Sequence, residues 1–135
     1  MGRSLLILLD THVVVWLAFE EERISTNAQA AINEARRTVR GLAVSDFSLY
    51  ELSLLFRKKQ FSLTMSPESF LFEVETRFVV LPITGRICMS ALSLPTGYPK
   101  DPADRIIGAT ALVEGLHLVT ADAQIRKSHA VPTIW

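Results

Sequence analysis

Four acidic residues stand where a carboxylate can do chemistry: Asp10, Glu51, Asp104 and Asp122. Asp10 ends the apolar run Leu5-Leu6-Ile7-Leu8-Leu9, and Asp122 follows Leu118-Val119-Thr120, so each sits just past the carboxyl end of an expected strand. In open parallel sheets that edge is where ligands bind. Glu51 falls in the early turns of a helix expected after the second strand, and Asp104 in the first turn of a helix expected before the fourth. Both can project toward the same edge. Four carboxylates gathered in a partly buried site raise one another's pKa and cannot all stay ionised without a counter-charge. A divalent cation supplies one, and an oxygen-only donor set favours Mg²⁺ or Mn²⁺ over zinc. Those ions keep waters that can attack a phosphodiester, which makes metal-assisted hydrolysis the expected chemistry.

Taken singly, the acids have plainer explanations. Asp101 has the look of an N-cap, with Pro102 at the first helical position and Asp104 at the third, where a carboxylate can reach back to the cap. Asp122 could cap the short helix that follows, and Glu51 could be a solvated helical charge. Asp10 resists such a reading because it ends a fully apolar strand. The joint reading is favoured by four acids at separate chain positions mapping to one edge. His12 lacks a second histidine at ligand spacing, so a structural or substrate-side role is expected, and Trp16, four residues on, should pack against the core. The cluster Arg57-Lys58-Lys59 could contact phosphates or merely complement a helix C-terminus.

The elements that must position these residues alternate. Strands are expected at 5–9, 42–44, 78–81, 118–120 and 133–135. Helices are expected at 11–19, after Ser25, after Ser45, from Pro67 to about Arg77, around 87–93, from Pro102 to a left-handed cap at Gly115, and after Asp122. Strands alternating with helices predict a three-layer α/β/α sandwich around a central parallel sheet of about five strands. Residues 1–135 are expected to form one domain.

With 14 Lys and Arg against 14 Asp and Glu, the chain carries no global basic signal for nucleic acid, so any attraction to phosphate must be local. Hydrophobic residues make up 49%, ample for a core. Asp10, Thr11 and His12 interrupt the apolar N-terminal stretch, and neither half is long enough to span a bilayer, so no membrane association is expected. The lone Cys88 cannot form an internal disulfide and is expected to pack, in keeping with a reducing cytoplasm.

The motifs Leu8-Leu9-Asp10-Thr11-His12 with Trp16-Leu17, Ser45 through Ser48 to Glu51, Asp101-Pro102-Ala103-Asp104-Arg105-Ile106-Ile107 and Leu118-Val119-Thr120-Ala121-Asp122 occur in order across nearly the whole chain. Together they resemble PIN domains of the VapC toxin type. That resemblance implies an acidic quartet of Asp10, Glu51, Asp104 and Asp122, catalytic and metal-holding, supported by Thr11 and Thr120, with Asp101 and Ser45 beside them. It further implies Mg²⁺- or Mn²⁺-dependent RNA cleavage, a small antitoxin partner and a homodimer. Two rivals stand beside it. A phosphatase using Asp10 as nucleophile would need a second Asp two residues on, where His12 stands. A non-catalytic module that holds metal and RNA would bind RNA and leave it unchanged.

Overall fold

The computed structural model describes residues 6–38, 41–58 and 65–135. Its strands are β1 (Ile7–Leu9), β2 (Leu42–Ser45), β3 (Val79–Leu81), β4 (Leu118–Val119) and β5 (Thr133–Ile134). The helices are α1 (Thr11–Phe19), α2 (Thr26–Ala35), α3 (Asp46–Arg57), α4 (Pro67–Arg77), α5 (Gly85–Leu92), α6 (Pro102–Glu114) and α7 (Ala123–Ser128), with a short 3₁₀ turn at Glu21–Arg23. Leu5 and Lys59, which the sequence assigned to a strand and a basic cluster, lie outside the described residues.

All strand pairs are parallel, in the order β3-β2-β1-β4-β5. The alternation of strand side chains separates two cores. Ile7, Leu9, Leu42, Val44 and Val119 join the side covered by α1 to α4, with Val13, Ile32, Leu52, Phe56, Phe70 and Val74. Leu8, Ala43 and Leu118 face the other way, onto Tyr98, Ile107 and Ala111 of the α6 side and Ile125 of α7. Burial on both faces explains the unbroken apolar runs and makes three layers.

Helix ends follow their capping residues. Ser25, Ser45, Ser66 and Thr84 each accept a hydrogen bond from a backbone N–H in the helix they start. Gly115 ends α6 in the left-handed region at φ 69°, as its position suggested. One expectation is corrected. Cys88 is exposed, because α5 buries only Ile87 and Ala91 against Ala109 of α6, and position 88 points off that stripe. Among the described residues, no helix is long and apolar enough to cross a membrane.

The strand order has one consequence for function. From β1 the chain moves outward through β2 to β3, then returns to place β4 on the other side of β1. The reversal leaves a crevice at the carboxyl ends of β1 and β4, the position at which open α/β sheets bind ligands. Asp10 follows β1 there, and the Thr120-Ala121-Asp122 loop follows β4.

Candidate active site

Asp10 caps α1 and is buried, with 4% of its surface exposed. Its Oδ1 accepts the Thr11 N–H at 2.9 Å, and its Oδ2 accepts the Thr120 hydroxyl at 2.8 Å. That hydroxyl in turn accepts the Asp122 N–H at 3.1 Å. The backbone of Asp10 is tied across the crevice by its N–H to the Val119 carbonyl, at 3.0 Å. Each carboxylate oxygen retains a lone pair for a further partner.

Glu51 reaches the same place from α3. Its Oε1 accepts the Thr11 hydroxyl at 2.5 Å, and Ser48 Oγ lies 2.8 Å from that hydroxyl. With the single Thr11 proton directed at Glu51, Ser48 is the donor in the second contact. Burial raises the Glu51 pKa above its usual value; the Thr11 bond opposes the shift, and the Asp10 and Asp101 charges add to it. Glu51 is therefore not a free solvated charge.

Asp104 occupies the third position of α6. Asp101 is the cap, its Oδ1 accepting the N–H groups of Ala103 at 2.8 Å and Asp104 at 3.3 Å. The return contact anticipated from the Asp104 carboxylate to the cap is not among the bonds of the described residues, so Asp104 is left over from the capping arrangement. Its carboxyl pKa is pushed up to about 7, first by burial and then by the charges of Asp10, Asp101, Asp122 and Glu51. Asp122 caps α7 through the Ile125 N–H at 2.9 Å, and its charge is also felt by His12.

The structure thus brings all four acids to one edge, where Asp104 feels the charges of the other three. Among the described residues no Lys or Arg pairs with any of them; the one such neighbour is His12, basic only when protonated, whose Nδ1 lies 3.7 Å from Asp10 Oδ2. Nor, among the described residues, do three acidic, histidine or cysteine side chains close on a common point. Oxygen donors spread along one edge, with no Lys or Arg paired to them among the described residues, suit a hard divalent ion that keeps part of its water shell. A groove of about 800 Å³ opens elsewhere, lined by residues including Val14, Leu17, Phe70, Val74 and Phe78, and contains none of the acids.

Three placements go beyond or refine the sequence reading. Ser45 caps α3, accepting the Phe47 N–H at 3.1 Å, while the serine that meets Thr11 is Ser48. Its spacing of one turn from Glu51 was the available signal. Tyr98, fully buried, donates its hydroxyl to the Asp104 carbonyl at 2.7 Å and so pins the start of α6. Gly108 makes room for it: a Cβ there would lie 2.1 Å from the Tyr98 hydroxyl. Trp16 packs beside the core as expected, under the Arg23 guanidinium at 4.3 Å.

A parallel sheet between two helical layers, with four carboxylates at its switch point, defines the class: a three-layer α/β domain with an acidic edge. Residues 7–129 match the PIN domain, and the chain belongs to that family. It is 37% identical over 132 residues to Ribonuclease VapC22 of Mycobacterium tuberculosis, covering 96% of this chain and 98% of that protein. Two solved structures share the fold. VapBC2 from Rickettsia felis, bound to a promoter DNA fragment, has a TM-score of 0.69 at 17% identity, and DNA-bound VapBC from Salmonella typhimurium has 0.68 at 19%. Each alignment covers 95% of this chain and 96% of the other. PIN-domain ribonucleases depend on divalent metal ions.

Proposed function

We propose that this protein is an endoribonuclease, dependent on Mg²⁺ or Mn²⁺, and the toxin of a toxin–antitoxin pair. The observation that carries the reading is the convergence of Asp10, Glu51, Asp104 and Asp122 on one sheet edge, with no Lys or Arg paired to them among the described residues. The similarity to a protein named as a VapC ribonuclease supports RNA as the substrate. Fold neighbours solved as VapBC assemblies support a small antitoxin as partner, and a homodimer in the cytoplasm is part of the same proposal.

In this reading the four acids hold the ion. When bound, it neutralises charge on the phosphoryl oxygens and makes water a competent in-line nucleophile. The chain's own part is preorganisation. Thr11 serves two acids at once, its N–H on Asp10 and its hydroxyl on Glu51, and Thr120 fixes the other Asp10 oxygen. Carboxylates held this way need little rearrangement to meet a ligand. Asp104, its carboxyl pKa pushed up to about 7, would hold the ion as a carboxylate and so would bind it more readily as pH rises.

The test is cleavage of a labelled mixture of structured and single-stranded RNAs by antitoxin-free protein in Mg²⁺, Mn²⁺ or EDTA, beside Asp10→Asn and Asp104→Asn. Cleavage should require metal and fall by more than about a hundredfold in both variants. Binding of RNA with no cleavage under any metal would select the non-catalytic module instead.

A further inference from the structure

Asp122 reaches the site on a loop rather than on a regular element, and the structure shows what restrains that loop. The Ala121 N–H donates to His12 Nε2 at 3.0 Å, across 109 residues of chain. On the other side of the same residue, Arg126 Nη2 donates to the Ala121 carbonyl at 3.3 Å. A neutral imidazole has one N–H and one acceptor nitrogen. With Nε2 accepting from Ala121, the ring proton belongs on Nδ1, the nitrogen that faces Asp10 Oδ2 at 3.7 Å. The ring itself is braced: Trp16 packs on it at 4.9 Å between centroids, and Trp135 packs on Trp16 at 5.9 Å.

We infer that His12 is a positioning residue of the acidic site: as a neutral imidazole protonated on Nδ1, it spans Asp10 and Ala121 and sets the distance between the Asp10 and Asp122 carboxylates. It neither holds the metal nor acts as a base, since the nitrogen that could do either is occupied by a backbone amide. The inference rests on the ribonuclease reading only for its effect on turnover. The tautomer and the loop restraint are properties of the metal-free fold.

The experiment uses the full chain with two substitutions. His12→Gln can place an amide oxygen near the position of Nε2 and keep an acceptor for Ala121, whereas His12→Leu offers none. In metal-free wild-type protein, in buffer alkaline enough to keep the ring neutral, ¹⁵N NMR should find the proton on Nδ1 and a coupling from the Ala121 amide to Nε2. Mn²⁺ titrations should show affinity falling about 10- to 100-fold in His12→Leu and staying within a few-fold of wild type in His12→Gln. The turnover number on RNA should follow the same order, with KM for RNA little changed. A ring protonated on Nε2 would overturn the inference even if His12→Leu fails to fold. So would Mn²⁺ affinity that is unchanged in His12→Leu, or lost equally in both variants. Absence of cleavage by the wild type would sink the ribonuclease reading while leaving the tautomer and Mn²⁺ results to judge His12.

Discussion

Asp104 keeps its proton over a pH range in which an ordinary aspartate has lost it. Its pKa rises from 3.8 to about 7 on folding, so between those values the folded chain holds a proton that the unfolded chain has released. The contribution of this group to stability is therefore complete below about 3.8 and is lost as pH rises through about 7. Glu51 is shifted in the same direction. Denaturant unfolding of the metal-free protein should show stability declining across that window, and Asp104→Asn should flatten the decline. A metal-free protein that grows more stable from pH 4 to 7, with Asp104→Asn making no difference, would count against the cluster. Thr11 gives a second prediction. Thr11→Val strips Glu51 of its donor and leaves Ser48 unpaired, at a cost of about 1–3 kcal/mol, while Thr11→Ser should stay close to wild type in thermal unfolding. At this scale the placement of the acids at one edge was legible from their positions relative to the strands, although Asp10 and Asp122 also cap the helices that follow them. Tyr98 was not, since a tyrosine in a loop reads the same whether it fills space or donates a bond, and Ser48 offered only its one-turn spacing from Glu51.

Helix α6 is approached closely at one point, where Tyr98 lies over Gly108. Gly108→Ala should cost about 1–3 kcal/mol as an overpacking change, because Tyr98 is fully buried and has no free path aside. Tyr98→Phe should cost about 1 kcal/mol by removing the hydroxyl that donates to the Asp104 carbonyl in addition to the helix's own bond. Both are measurable by equilibrium unfolding, and in both RNA cleavage should fall by more than the loss of folded protein explains, because the start of α6 sets where Asp104 stands. The caps and the apolar runs made most elements readable in advance. Cys88 shows the limit of that reading: an apolar neighbourhood in sequence does not say which stripe of a short helix is turned inward.

Over the whole molecule, the alternation of strands and helices was enough to expect a parallel three-layer sheet, yet the order of the strands was not readable. A run such as Leu5 to Leu9 is apolar on both faces and pairs equally well on either side. The order is decided by which helices cover which face, and it is the order that puts the switch point between β1 and β4. A ligand held at that junction joins distant parts of the chain. Saturating Mg²⁺ at about a hundred times its Kd should stabilise the whole domain by about 2.7 kcal/mol, and Asp10→Asn should abolish most of that gain. Failure of Mg²⁺ or Mn²⁺ to shift the unfolding transition would argue against a metal at this edge.

The bond from the Thr120 hydroxyl to Asp10 closes a span of 110 residues, and the carboxylate beyond it, Asp122, arrives later still. During translation the first acid emerges more than a hundred residues before its last partners, so the centre cannot assemble until they too have been made. A centre laid out in this way is silent on the nascent chain until Thr120 and Asp122 have emerged and folded back onto Asp10.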